Sequence, residues 1–379
     1  MKYICDYAIP GENQEGRQYV LSSMDKLEYI VSAINRCGEN VDIISPSCTR
    51  NKKGFYKGRV DALNDGNRVI SAPTFGVASS LGRILQRSFA LLWLMYFLVF
   101  RCQKGERIAV YHSVFYVPAL VVAQKLRKIR VLLEVEEVFH ELSAETSGWR
   151  VKMEESVIRK AESYIFASKQ LEQRCNQKNK PYAIANGRYI AAPAYEQPAD
   201  DGKIHLVYAG LIEREKVAFN SVRTALYLPE NYVIHIIGYG NDEDIQALKE
   251  LVDEVNGKAR CRVVFDGTKR GEEYDRYLQQ CHIGLCPLIG GSTFQNACFP
   301  SKITSYLSNG LLVVTTENEV IRTSEYGRMI SFSEDYSPEK FAKAILAVEM
   351  QSINTRETIT TLDKAFVEKM AQMLRRVKL

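Results

Sequence analysis

The sequence predicts an α/β protein built as two doubly wound parallel-sheet domains. Three observations carry this. Short apolar runs alternate with helical stretches from end to end, as buried parallel strands and their covering helices do. The alternation breaks once, over the aperiodic AAPAYEQPADDG (Ala191 to Gly202), and then restarts. A chain of 379 residues is also too long for one ordinary core and comfortable for two.

In the first half, KYICDYAI is a predicted strand. The polar loop Pro10 to Gly16 follows, then a helix to about Cys37 and the short strand VDIIS. The basic stretch Arg50 to Arg59 is expected as an exposed excursion. A helix is predicted around Leu81 to Cys102. RIAVYHS then gives a strand, VPALVVAQKLRK a helix, and RVLLEVEEV a strand running into acidic residues. Met153 to Ala161 reads as helix, with SYIFAS and YAIANG as the last strands before the break.

The second half repeats the rhythm more clearly. IHLVYAG, YVIHIIGYG, CRVVFDG, IGLCPL and GLLVVTT are predicted strands. Helices are expected at Phe219 to Leu228, Asp242 to Val255, GEEYDRYLQQC, Ser301 to Ser308, Pro338 to Met350 and the basic segment Thr360 to Lys378. The predicted layout is a first domain over 1–189, a second over 190–357, and a terminal helix over 358–379 returning to the first. The two halves read as two copies of one architecture rather than a solenoid.

Composition narrows the function classes. A net charge of +5 without a concentrated basic face argues against a nucleic-acid binder. Nine scattered cysteines with no CxxC pair argue against a zinc or redox motif, and suggest reduced thiols in a cytoplasm. The apolar FALLWLMYFLVF (Phe89 to Phe100) is too short to span a bilayer as a helix. It reads as a buried helix, or as one lying on a membrane with Arg83, Arg87, Arg101 and Lys104 at its flanks.

Ligands of open parallel sheets bind beyond the carboxyl ends of the strands, so the residues after each strand matter most. AGLIEREK offers Gly210, then Arg214 and Lys216 as cations suited to a diphosphate; a solvated turn explains them equally well. GYGND places Gly238 and Gly240 where backbone can approach a ligand. FDGTKR contributes Gly267. The block ACFPSKITSYLSNG is the strongest, with Phe299 before the turn, Pro300 at a helix start, Ser301 beside free backbone N–H groups, and Lys302 in the first turn. The helix dipole disfavours a cation there, unless an anion is bound as well.

In the first half, His112 ends a buried strand, and Glu134, Glu136 and Glu137 cluster at the end of another. Alternation puts Glu134 and Glu136 on one face and Glu137 on the other. His140 and Glu141 follow in a predicted loop.

Taken in order, LVYAGLIEREK, YVIHIIGYGND, VVFDGTKRGEEYDRYLQQCHIGLCPL and FPSKITSYLSNGLLVVTT resemble the donor domain of retaining GT-B glycosyltransferases, the family 4 group of bacterial polysaccharide enzymes. The resemblance runs from Ile204 to Thr316; the first half matches mainly in layout. It implies two Rossmann-like domains facing across a cleft. Gly210, Arg214 and Lys216 would bind donor phosphates. Pro300, Ser301 and Lys302 would approach the diphosphate and sugar. The loop holding Gly11, Glu12, Asn13 and Gly16 would face phosphates and acceptor, and Glu136 or Glu137 would meet the donor sugar. The family frames the PSK block with two glutamates; here Ala297 and Ser305 stand in those places, so Ser305 is the remaining candidate for the ribose hydroxyls. Leu211 also follows Gly210 where the family has Arg.

The resemblance thus implies metal-independent sugar transfer with retention from a nucleotide-diphosphate sugar, with no further cofactor. Catalysis would rest on fixed cations, with Arg214, Lys216 and Lys302 as candidates, while Glu136, Glu137 and His112 are candidate catalytic residues of the first half. The acceptor would be a glycan or polyprenyl-linked lipid in capsule, exopolysaccharide or other surface polysaccharide synthesis. The place would be the cytoplasm, at the inner face of the plasma membrane, with peripheral membrane contact. A non-catalytic scaffold of the same fold and a sugar-nucleotide epimerase remain as alternatives. An NAD enzyme is disfavoured, because no complete GxGxxG follows the first strand.

Overall fold

The structure is a computed structural model that describes residues 1–9, 14–19, 21–138, 148–196, 200–288, 299–350 and 354–376. The chain divides into two compact units, Met1–Arg188 with Ala365–Leu379, and Tyr189–Lys364.

The first unit is built on strands β1 (Lys2–Ile4), β2 (Asp42–Ser45), β3 (Phe55–Tyr56), β4 (Arg59–Ala62), β5 (Arg68–Ser71), β6 (Thr74–Phe75), β7 (Arg107–Tyr111), β8 (Arg130–Val135), β9 (Ser163–Phe166) and β10 (Tyr182–Ile184). Eight of them form one sheet in the order β10-β9-β8-β7-β1-β2-β5-β4. Every pairing in it is parallel except β4 with β5. The chain order reverses between β1 and β7, which makes their carboxyl ends the crevice of this sheet.

Helix Ser80–Phe100 packs Leu94 and Leu98 into a core shared with Leu120, Leu133 and Val157. Ser79 caps its start by accepting from the Gly82 N–H, a contact worth about 1 kcal/mol. Elsewhere in the unit Tyr29 stacks on Phe366 at 5.4 Å, and Arg107 Nη1 donates to the Leu374 carbonyl at 2.9 Å. These contacts place the last turns of helix Thr355–Arg376 in the first unit, although the helix begins in the second.

The excursion at Arg50 to Arg59 is mostly exposed, as expected, and it also carries short strands. Its tip pairs β3 antiparallel to β6, and β4 then runs antiparallel along β5 at the sheet edge. The alternating RVDA and RVIS, joined around Asn64–Gly66, carry that signal. The expectation that the apolar stretch is too short to span a bilayer needs correction, because its helix runs for 21 residues, long and apolar enough to do so by length and composition, and only one of its faces is buried.

The second unit holds β11 (Ile204–Leu211), β12 (Tyr232–Tyr239), β13 (Arg262–Phe265), β14 (Ile283–Cys286), β15 (Leu312–Thr316) and β16 (Ile330–Ser333). They pair in parallel in the order β13-β12-β11-β14-β15-β16. Its switch point lies between β11 and β14. The short β16 and helix Glu319–Arg322 went unpredicted, being too brief to show a period. Helices Val217–Thr224, Asp242–Asn256 and Pro338–Leu346 cover one face with Phe219, Leu248 and Phe341.

Candidate functional site

The second unit's site is assembled around Tyr306, which is fully buried. Its ring lies so close to Gly284 that a Cβ there would sit 2.3 Å from it. The hydroxyl accepts from the Ala209 N–H at 2.9 Å and donates to the Leu285 carbonyl at 3.3 Å. One phenol thus bridges β11 and β14 at the switch point and fixes helix Ser301–Ser308 over it.

Lys302 lies one turn earlier on the same helical face. Its ammonium reaches Tyr208 Oη at 3.2 Å and sits 4.4 Å from the centre of that ring. It also lies over Gly210, where a Cβ would meet Nζ at 2.2 Å and Cε at 2.6 Å. Among the described residues no carboxylate pairs with Lys302, a half-buried cation. Its charge is felt at the interior thiol of Cys286. Burial pushes that thiol up to about 11, and Lys302 pulls it down.

The glycines cluster at the same edge. Gly238 is in register with Gly210, and a Cβ on it would fall 1.8 Å from the Gly210 carbonyl oxygen. Its N–H donates to the Gly267 carbonyl at 2.9 Å, and Thr268 Oγ1 donates to its own carbonyl at 2.8 Å. Gly240 is pressed against the Ile212 carbonyl. The three strand ends therefore carry glycine backbone at this edge, with the Lys302 side chain lying over Gly210.

Other predicted residues fall less centrally. Pro300 is the N-cap of helix Ser301–Ser308 rather than its first helical residue, and Ser301 is exposed. Phe299 packs on Tyr326 at 5.2 Å. Arg214 is exposed in the turn after β11, next to Glu215. Lys216 pairs with Glu213 at 2.9 Å, both about half exposed. Ser305 shares a hydrogen bond of 3.1 Å with the Tyr274 hydroxyl. Ala297 lies outside the described residues.

In the first unit, Glu134 and Glu136 do come together at the end of β8. Tyr3 donates to Glu134, and Lys26 pairs with Glu136. Burial, and then the Glu136 charge, raise the Glu134 carboxyl to about 8. Its Oε1 is buried without a hydrogen-bond partner among the described residues. Glu137 is also raised, by burial first and then by Glu136. His112 is buried: Nδ1 lies 3.0 Å from the Glu137 carbonyl and Nε2 3.4 Å from Glu154. Gly16 holds a left-handed turn (φ +58°), and its carbonyl accepts from the Arg50 N–H. Gly11, Glu12, Asn13, His140 and Glu141 lie outside the described residues. No group of three His, Cys, Asp or Glu suited to a metal ion occurs among the described residues.

Sequence reasoning missed Tyr306, Tyr208, Tyr3 and Lys26. Tyr306 follows Lys302 at helical spacing within the quoted block, which was the available signal. The pairing of Lys26 with Glu136 joins positions 110 apart and had none.

Residues 204–349 match the family model described as glycosyl transferases group 1. No curated protein sequence matches the chain. Solved structures match over its whole length. One, described as trehalose-6-phosphate from E. coli bound with UDP-2-fluoro glucose, aligns with a TM-score of 0.63 at 9% identity, over 100% of this chain and 98% of that one. An α,α-trehalose-phosphate synthase from Burkholderia xenovorans, in complex with glucose-6-phosphate, gives 0.63 at 9% identity, over 100% and 99%. Anabaena HepE in complex with UDP and glucose gives 0.54 at 10% identity, over 99% and 98%. The fold is thus that of the GT-B structures, two Rossmann-like parallel-sheet domains.

Proposed function

We propose that this protein is a glycosyltransferase whose second unit holds a nucleoside-diphosphate sugar. The observation that carries the reading is Lys302, a half-buried ammonium with a phenol for a partner, set over Gly210 at the switch point of the sheet. A cation kept out of water without a counterion is costly, and an anionic ligand relieves that cost. The start of helix Ser301–Ser308 adds unpaired backbone N–H groups on the same side. The match of residues 204–349 to the group 1 model supports the same assignment.

In the proposed reaction the bond between the anomeric carbon and the diphosphate oxygen breaks as an acceptor hydroxyl attacks. The acceptor's proton passes to the departing diphosphate, with retention at carbon. Lys302 and the helix start neutralise the charge growing on the leaving group. Arg214 and Lys216 complete the clamp. Lys216 exchanges Glu213 for phosphate, and such an exposed pair is worth at most about 1 kcal/mol. Gly210, Gly238, Gly240 and Gly267 let the backbone approach the diphosphate, Phe299, Pro300 and Ser301 shape the turn beneath the sugar, and Ser305 meets the ribose. Glu136, Glu137 and the loop containing Gly16 belong to sugar and acceptor binding, with His112 positioning Glu137 through its carbonyl. The acceptor is a glycan or polyprenyl-linked lipid in surface polysaccharide synthesis, reached from the cytoplasm. No metal or further cofactor takes part.

A second reading, a non-catalytic partner of the same fold, is favoured by one observation: Ser305 offers a hydroxyl, already bonded to Tyr274, where the related pattern has a carboxylate. Calorimetric titration with UDP, GDP and ADP separates the two. Binding of one diphosphate, weakened at least tenfold in Lys302→Ala, together with release of that diphosphate from its sugar conjugate when acceptor is added, is expected. Absence of binding into the millimolar range rejects the transferase and leaves the partner.

A further inference from the structure

A cavity of about 310 Å³ opens in the first unit, lined by Gln18, Thr49, Arg50, Val77, Arg83 and Gln86. Thr49 and Val77 follow β2 and β5, so it lies past the carboxyl ends of those strands, the side on which open parallel sheets bind ligands. Its walls are fixed by hydrogen bonds. The buried Arg17 guanidinium donates to the Ser47 and Ala72 carbonyls at 3.0 and 2.8 Å. Gln18 N–H donates to the Cys48 carbonyl at 2.9 Å, and Arg50 N–H to the Gly16 carbonyl at 2.8 Å. The buried Gln86 donates through Nε2 to the Thr49 and Phe75 carbonyls. The loop bearing Gly16, the segment after β2 and helix Ser80–Phe100 are thereby locked around one hollow.

The charge in this hollow is uncompensated. Arg50 and Arg83 line it together with uncharged groups, and neither has a carboxylate partner among the described residues. The neighbouring acid, Glu15, is taken by Arg17 at 2.6 Å and reached by Arg59 at 3.9 Å. Arg83 stands in the first turn of its helix, where the dipole disfavours a cation, and that turn holds no acid. Arg87 follows on the same helical face, about 6 Å further along the axis. Its charge acts on Asp6, two residues past β1 at the crevice between β1 and β7, and on Cys48. This face therefore leads from the cavity to the crevice.

We infer that the cavity between Arg50 and Arg83 is a phosphate subsite, which anchors the acceptor by a phosphate ester while the rest of that molecule reaches along the helix face to the crevice at Asp6. Two planar guanidiniums with no competing carboxylate match the tetrahedral oxygens of a phosphate. The cavity is at the lower end of small-ligand pockets, about 300–1,000 Å³, so it takes the phosphate and the start of its ester and not a whole oligosaccharide. Assignment to the acceptor rests on the transferase reading; the phosphate site itself does not.

The test is calorimetric titration of the full chain with inorganic phosphate, glucose-6-phosphate, geranyl phosphate and free glucose. Wild type is compared with Arg50→Gln/Arg83→Gln and with Lys302→Ala. Wild type is expected to bind the three phosphates and not glucose, and more weakly as salt rises. The arginine variant is expected to lose at least tenfold on every phosphate while holding nucleoside diphosphate as wild type does; Lys302→Ala is expected to do the reverse. Both arginines are exposed, and an unchanged melting temperature confirms that the variant folds. Tighter binding of glucose-6-phosphate assigns the ester to a soluble sugar, tighter binding of geranyl phosphate to a lipid carrier, and either supports the site. Wild type that binds no phosphate into the millimolar range overturns the inference, as does an arginine variant that binds as well as wild type. So does a loss confined to Lys302→Ala, which would assign the phosphate to the donor site. Esters that bind through the arginines while no nucleoside diphosphate binds would overturn the transferase reading and leave the phosphate subsite standing.

Discussion

Replacing Gly210 with alanine separates ligand binding from folding at the proposed donor site. The added Cβ would lie 2.2 Å from Lys302 Nζ and 2.6 Å from Cε, so the lysine must leave its seat on Tyr208. Those atoms are the far end of a flexible side chain, and the backbone at Gly210 is not in the left-handed region. The fold should therefore absorb the change at a cost within about 1 kcal/mol, partly offset by the stiffer unfolded chain. Binding should not absorb it. A hydrogen bond to a charged group contributes about 1.5–3 kcal/mol, so losing Lys302 from the diphosphate should weaken binding of whichever nucleoside diphosphate the wild type takes about 10- to 150-fold. Gly238→Ala is the contrast. Its Cβ would fall 1.8 Å from a backbone oxygen, at φ +154°, and should unfold the strand ends. Calorimetric titration and thermal unfolding of both variants, with Lys302→Ala and the double variant Gly210→Ala/Lys302→Ala, complete the measurement. The two changes should be strongly non-additive, because each removes the same contact. Nucleoside-diphosphate affinity in Gly210→Ala equal to wild type would refute the reasoning, as would additive losses in the double variant.

Further consequences can be checked in the same way. Tyr306→Phe leaves the Ala209 N–H unpaired in the interior, so denaturant unfolding should show a loss of about 1–3 kcal/mol. Ser305→Glu should tighten nucleoside-diphosphate binding about tenfold by giving the ribose a charged acceptor next to Tyr274; unchanged affinity would place the ribose elsewhere. Glu134 is raised from 4.5 to about 8 by burial and then Glu136, so the folded state holds its proton longer than the unfolded state. Its contribution is full below the unfolded value and is lost as pH rises towards 8. Glu134→Gln should flatten the fall in stability between about pH 5 and 8, and a slope identical to wild type would remove Glu134 as its source.

The parallel strands were legible because they are buried on both sides and read as apolar runs; RVLLEV and LVVTT fall where the apolar runs put them. Strands β3 to β6 were not, since exposed or half-exposed residues such as Val60 and Arg59 break the apolar run. The PSK block pointed to Lys302 through the mismatch between its charge and the helix dipole. What it stands over was hidden, because the closeness of Gly210 depends on pairing between segments about 90 residues apart. His112 illustrates the opposite case. A histidine at a strand end reads either as a ligand contact or as a satisfied structural residue, and only the packed structure supplies Glu154 and the Glu137 carbonyl as its neighbours.

The bridge made by Tyr306 also bears on how the second unit comes apart. Strands β11 to β13 can pair from contiguous chain, and so can β14 to β16, but β11 meets β14 only across a long loop of sequence. The seam between these halves carries the last loop-closure entropy, and one phenol adds a side-chain bridge to the short pairing of Leu206 and Val207 with Ile283 and Gly284. Partial opening should begin there, with the Ala209 amide exchanging its hydrogen sooner than amides in mid-strand. A diphosphate seated across that seam would be a staple as well as a substrate, bracing this joint of the sheet only while the donor is present.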